Sequence, residues 1–64
     1  MGNFVRIEVQ DQFGRWQKYT SVVNNPISIK NGLAAALKTQ LASKSKKARA
    51  IEEESGNLID MQFG

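Results

Sequence analysis

The chain has 64 residues, 41% of them hydrophobic and 23% charged, with no cysteine, no histidine and a formal net charge of +3. A chain this short makes one domain, and a domain of that size hides only roughly 60% of the surface its unfolded chain exposes. The missing residue types exclude disulfides, Cys/His zinc staples, thiolate nucleophiles and the commonest general base. The apolar fraction is too high for a disordered chain.

Val5, Ile7 and Val9 alternate with Arg6, Glu8 and Gln10, the period-two pattern of a half-buried strand. Asp11 to Gly14 ends it, and Arg15 to Val23 is again rich in Trp, Tyr, Thr and Val, so residues 4–23 are predicted to form a hairpin. With Gly14 in the left-handed position closing a three-residue loop, Ile7 faces Tyr19, Val5 faces Ser21 and Glu8 faces Lys18 as a favourable cross-strand pair. A two-residue loop at Gln12 and Phe13 instead sets Ile7 opposite Lys18 and carries Trp16 to the Val9 face. The first register is preferred.

Asn25 and Pro26 provide a capping side chain followed by a proline at the first helical position, where its missing N–H costs nothing. A helix is predicted from Pro26 to Ser43, because Ile29, Leu33, Leu37 and Leu41 recur every four residues with Ala36 and Gln40 beside them. Lys30 and Lys38 then point outward. Gly32 costs this helix about 1 kcal/mol relative to alanine, and is either simply tolerated or marks a close approach of helix to sheet.

Ala48 to Glu53 and Leu58 to Phe63 flank Glu54, Ser55 and Gly56, which predicts a second glycine-closed hairpin. A three-residue loop sets Ile51 opposite Ile59 and Arg49 opposite Met61, so that Ile51, Ile59, Met61 and Phe63 share a face. The expected fold class is α+β: a ββαββ two-layer sandwich, with one helix across a four-stranded antiparallel sheet. A crossover helix returns the third strand beside the first, giving spatial order 2-1-3-4 with every neighbouring pair antiparallel. The expected core is Val5, Ile7, Val9, Ile29, Leu33, Leu37, Leu41, Ile51, Ile59 and Met61. Residues 1–64 are read as a single domain.

The longest apolar-looking uncharged stretch, Asn31 to Leu37, is far shorter than the roughly 20 residues that span a bilayer. Met1 to Glu8 lacks the pattern of a secretory leader. The expected location is cytoplasmic.

Catalysis has little support. Ser43, Ser45 and Lys46 lie close in sequence, but a Ser/Lys dyad needs a buried lysine and this stretch reads as solvated. Glu52, Glu53, Glu54 and Asp60 could contact a hard cation, yet strand alternation turns Glu53 away from Glu52 and Glu54. No glycine-rich nucleotide motif occurs. The chain is read as a binding module with no cofactor and no metal.

Charge is sorted along the chain. Lys30, Lys38, Lys44, Lys46, Lys47 and Arg49 lie between Asn25 and Arg49 with no acidic residue, whereas Glu52, Glu53, Glu54 and Asp60 follow with no base. Sorting of this kind points to a polyanion or an acidic partner at one surface. The leading expectation is weak, preferentially single-stranded nucleic-acid binding through Lys44, Lys46, Lys47 and Arg49, which sit where the helix gives way to a strand. Arg6, Lys18 and Trp16 support it from the sheet face away from the helix, which is expected to display Phe4, Trp16 and Val22. A plainly solvated basic loop is the bland alternative. The competing function is a protein-interaction or homodimerisation module, with an acidic protein or a second copy meeting the open sheet face, or the edges of the second and fourth strands.

Overall fold

A computed structural model describes residues 3–38 and 47–63. Strands β1 (Phe4–Gln10) and β2 (Trp16–Val23) are followed by helix α1 (Pro26–Leu37) and strands β3 (Lys47–Glu52) and β4 (Leu58–Phe63). The sheet has order β2-β1-β3-β4 with every neighbouring pair antiparallel, and α1 crosses one face, so the fold is α+β with the expected topology. The helix was expected to reach Ser43. It is described to Leu37 with Lys38 as its C-cap, and residues 39–43, including the expected core residue Leu41, lie outside the described residues.

The helix begins where its cap chemistry dictates. Asn25 is extended, its Oδ1 accepts from Ser28 N–H at 2.7 Å, and Pro26 occupies the first turn. Asn25→Ala removes that acceptor and is expected to cost about 1 kcal/mol, measurable as a lower urea midpoint at unchanged slope.

The core lies between α1 and the central strands: Val5, Ile7 and Val9 from β1, Ile29, Leu33 and Ala36 from α1, and Ala48 and Ala50 from β3, with Val22 and Leu37 packed at its margin. Gly32 is a close-approach glycine. A Cβ there would stand 3.0 Å from Ile7 Cγ1 and 3.3 Å from both Ile7 Cδ1 and Val22 Cγ1. Ile7 is fully buried and cannot retreat. Gly32→Val is therefore expected to destabilise by about 2 kcal/mol despite leaving glycine behind in a helix, again read by urea unfolding.

Both hairpins carry a β-bulge that the residue spacing did not show. In the first, Gly14 has φ +82° and closes the expected loop, and Glu8 does pair with Lys18. Between Ile7 and Glu8 the register then shifts around Tyr19, so Ile7 meets Thr20 and Val5 meets Val22 instead of Tyr19 and Ser21. That extra residue turns Val22 to the helix side, contrary to the expectation that it would stand on the open face. In the second hairpin Arg49 meets Met61 as expected, but a shift around Ile59 sets Ile51 opposite Leu58. The turn has four residues between the Glu52–Asn57 pair, which closes through Glu52 N–H to Asn57 O at 2.9 Å, and Gly56 supplies the positive φ of 74°.

These registers correct the expected core. Antiparallel partners share a face, and Ala48 and Ala50 sit opposite Val9 and Ile7, so Arg49 and Ile51 must point the other way. Ile51 is buried, but on the face away from α1, opposite Arg6, and Met61 joins it there opposite Arg49. Ile59 is 40% exposed at its bulge.

Candidate interaction face

The sheet face away from α1 is assembled by strand alternation. Reading across β2, β1, β3 and β4, Trp16, Gln10, Lys47 and Phe63 form one end, followed by Lys18, Glu8, Arg49 and Met61, then Ser21, Arg6, Ile51 and Leu58, and finally Val23, Phe4 and Glu53. Phe4, Val23, Leu58 and Phe63 are each more than half exposed.

The centre of this face is ionic, with two guanidinium groups about one carboxylate. Arg49 Nε donates to Glu8 Oε1 at 2.7 Å, and Arg6 Nε stands 3.0 Å from Glu8 Oε2 as an ion pair whose angle makes no hydrogen bond. Glu8 is only 9% exposed, the buried carboxylate of the described residues. The Arg49 guanidinium also lies over the Trp16 ring, 4.2 Å from its centroid, in cation–π geometry. At one side Glu53 accepts from Ser21 Oγ at 3.2 Å and approaches Lys18 Nζ at 4.0 Å. Sequence reasoning had paired Glu8 with Lys18 alone. The order 2-1-3-4 was expected, but the register of β1 with β3, which brings Arg49 beside Glu8 from the other flank, was not.

Of the expected nucleic-acid residues, Arg6, Lys18, Arg49 and Trp16 come together on this face, and Lys47 joins them beside Phe63. Lys44 and Lys46 lie outside the described residues. Arg6 and Arg49 are committed to Glu8, and Trp16 has one ring face covered by Arg49. Among the described residues Lys47 is in no ion pair.

Comparison with protein-family models, with curated proteins and with solved structures finds no match to this chain. Its site is therefore read from its own residues.

On the helix side an open cleft of about 570 Å³ lies between α1 and β4, with Pro26, Ile29 and Ile59 as apolar walls and Lys30 and Asp60 as its charges. Among the described residues no group of three or more carboxylates could hold a metal ion, and no helix is long and apolar enough to cross a membrane.

At the first hairpin tip Asp11 accepts from Gln17 Nε2 at 3.0 Å and from the backbone N–H groups of Arg15 and Phe13, each at 2.9 Å. The Gln17 hydrogen bond first, and then that to Arg15, hold its carboxyl below the ordinary carboxylate range. A depressed folded-state pKa contributes stability above the unfolded value and loses it as pH falls through the folded one. Titration into acid is therefore expected to shift the Phe13 and Arg15 amide resonances with a midpoint below the usual aspartate value. Asp11→Asn should remove that transition.

Proposed function

We propose that this protein is a non-catalytic interaction module whose open sheet face docks a protein surface that bears exposed apolar side chains and carboxylates. The observation that carries the reading is the Arg6–Glu8–Arg49 group, with one positive charge in excess, beneath a border of exposed Phe4, Val23, Leu58 and Phe63. Covering a face strands any charge that lacks a partner, and an unpaired buried charge is expensive. Here Glu8 is shared by Arg6 and Arg49, which offsets one of the two positive charges and leaves the other for a carboxylate of the partner to meet. The residue types fit as well, since aromatic residues, methionine and arginine are those enriched at interface centres, with Lys18, Lys47 and Glu53 at the margin.

Single-stranded nucleic acid is the competing occupant. Lys47 beside the exposed ring of Phe63 favours it, while the commitment of both arginines to Glu8 and of Trp16 to Arg49 weighs against it. Two measurements decide. Panning displayed random peptides against the protein should enrich apolar sequences bearing carboxylates, and Phe4→Lys should abolish their binding. Titrating a fluorescent oligonucleotide at two salt concentrations should give no saturable binding. An oligonucleotide affinity that falls with salt by roughly 0.7 log units per phosphate contact, with quenching of Trp16, would overturn the protein reading in favour of nucleic acid.

A further inference from the structure

The open face is polar end to end. On the open face β3 runs from Lys47, at the end that carries Trp16 and Phe63, to Glu53 just past its last residue, at the end that carries Phe4 and Val23, while Glu52 pairs with Val5 on the helix side. In sequence Lys47 also follows Lys44 and Lys46, so the whole basic run precedes the strand and the acidic run ends it.

We propose, resting on the interaction-face reading above, that the occupant of this face is a second copy of the chain. The two copies are related by a twofold axis lying between the sheets and running across the strands. That axis reverses strand direction, so the Lys47 end of each copy lies over the Glu53 end of the other, and each basic end meets an acidic one twice. A twofold axis along the strands would instead set Lys47 over Lys47 and Glu53 over Glu53, and like charges facing each other across an interface disfavour it. The apolar groups match in the same arrangement, with Trp16 and Phe63 of one copy over Phe4, Val23 and Leu58 of the other. The Glu8 group of each copy, two guanidinium groups about one carboxylate, falls near the axis, where its excess positive charge keeps the association weak.

The size of the face sets the strength. Four strands about 4.8 Å apart and six residues long at about 3.3 Å per residue give a footprint of roughly 400 Å² before side-chain relief is added. Two such faces give roughly 800 Å², short of the ~1,200 Å² at which stable specific interfaces begin, so a weak, reversible association is expected. Pairing also offsets the shortage of buried apolar surface in a domain whose core includes Ala36, Ala48 and Ala50.

The test is sedimentation equilibrium of the whole chain from about 5 μM to about 1 mM, at low and high salt. A monomer–dimer equilibrium weakened by salt is expected. Leu58→Lys, at an exposed position, should weaken it at least about 10-fold, and Lys47→Glu and Glu53→Lys should each weaken it about 5-fold. The double reversal Lys47→Glu with Glu53→Lys should recover affinity to within about 3-fold of the parent. Amide spectra of each variant establish that it is folded. A monomer throughout the range overturns the inference, as does a dimer indifferent to Leu58→Lys. Failure of the double reversal to recover affinity overturns the reversed-strand arrangement. A monomer that still binds displayed peptides sensitive to Phe4→Lys removes the second copy and leaves the interaction face standing.

Discussion

Leu33→Ala is expected to leave a large part of the chain unfolded at 25 °C. Leu33 is fully buried and, with Ile7, Val5 and Val9, among the largest such side chains in the molecule. Truncating a buried leucine costs about 2–5 kcal/mol, the higher values arising where the surroundings cannot collapse into the space. They cannot here, because several of the residues in the core cluster with Leu33 are alanines, Ala36, Ala48 and Ala50, which have no atoms to move inward. A domain of this length has a total stability of about 3–10 kcal/mol at the usual 0.05–0.15 kcal/mol per residue, so one such cavity removes much of it. Urea unfolding followed by circular dichroism reads the change. A loss below about 1 kcal/mol would mean that α1 does not pack on the sheet as described.

The second large effect is expected at Glu8. Glu8→Ala leaves the Arg6 and Arg49 guanidinium groups, which flank its carboxylate at 3.0 and 2.7 Å, facing each other without an anion between them. Breaking a fully buried ion pair costs about 3–5 kcal/mol, and because the two arginine side chains are 37% and 31% exposed the expected loss is smaller, about 2–3 kcal/mol. Two signatures separate this from simple loss of packing. Added salt should restore part of the stability of Glu8→Ala by screening the two cations, and Arg49→Met in the same background should restore more by removing one of them. Trp16 emission should also change in Glu8→Ala, since Arg49 is held over the ring in part by its hydrogen bond to Glu8. If stability were indifferent to salt and Trp16 unchanged, Glu8 would be no more than a solvated carboxylate.

Much of this molecule was legible in its residues because short-range rules decide it. Alternation in Val5, Ile7 and Val9 placed β1, Asn25 and Pro26 placed the helix start, and Gly14 and Gly56 marked the turns. A helix that returns β3 parallel to β2 lets it pair antiparallel with β1, which pointed to order 2-1-3-4 with every neighbouring pair antiparallel. The sorted charge was equally plain, since it is a property of the chain and not of its folding.

What the residues alone did not decide was which way the later strands face. Ile51, Ile59 and Met61 look like core because they are large and apolar, yet the pairing of β3 with β1 sets Ala48 and Ala50, not Ile51, beside Val9 and Ile7 under α1. The pleat then sends Ile51 and its strand neighbour Arg49 to the far side, where Arg49 finds Glu8 and Trp16. Bulges at Tyr19 and Ile59 moved Val22 inward and Ile59 out of the expected face, each by inserting a single residue. A period of two amplifies any such insertion into a change of face. The composition of the open face is therefore set by strand register, a quantity that exists only once the strands have paired.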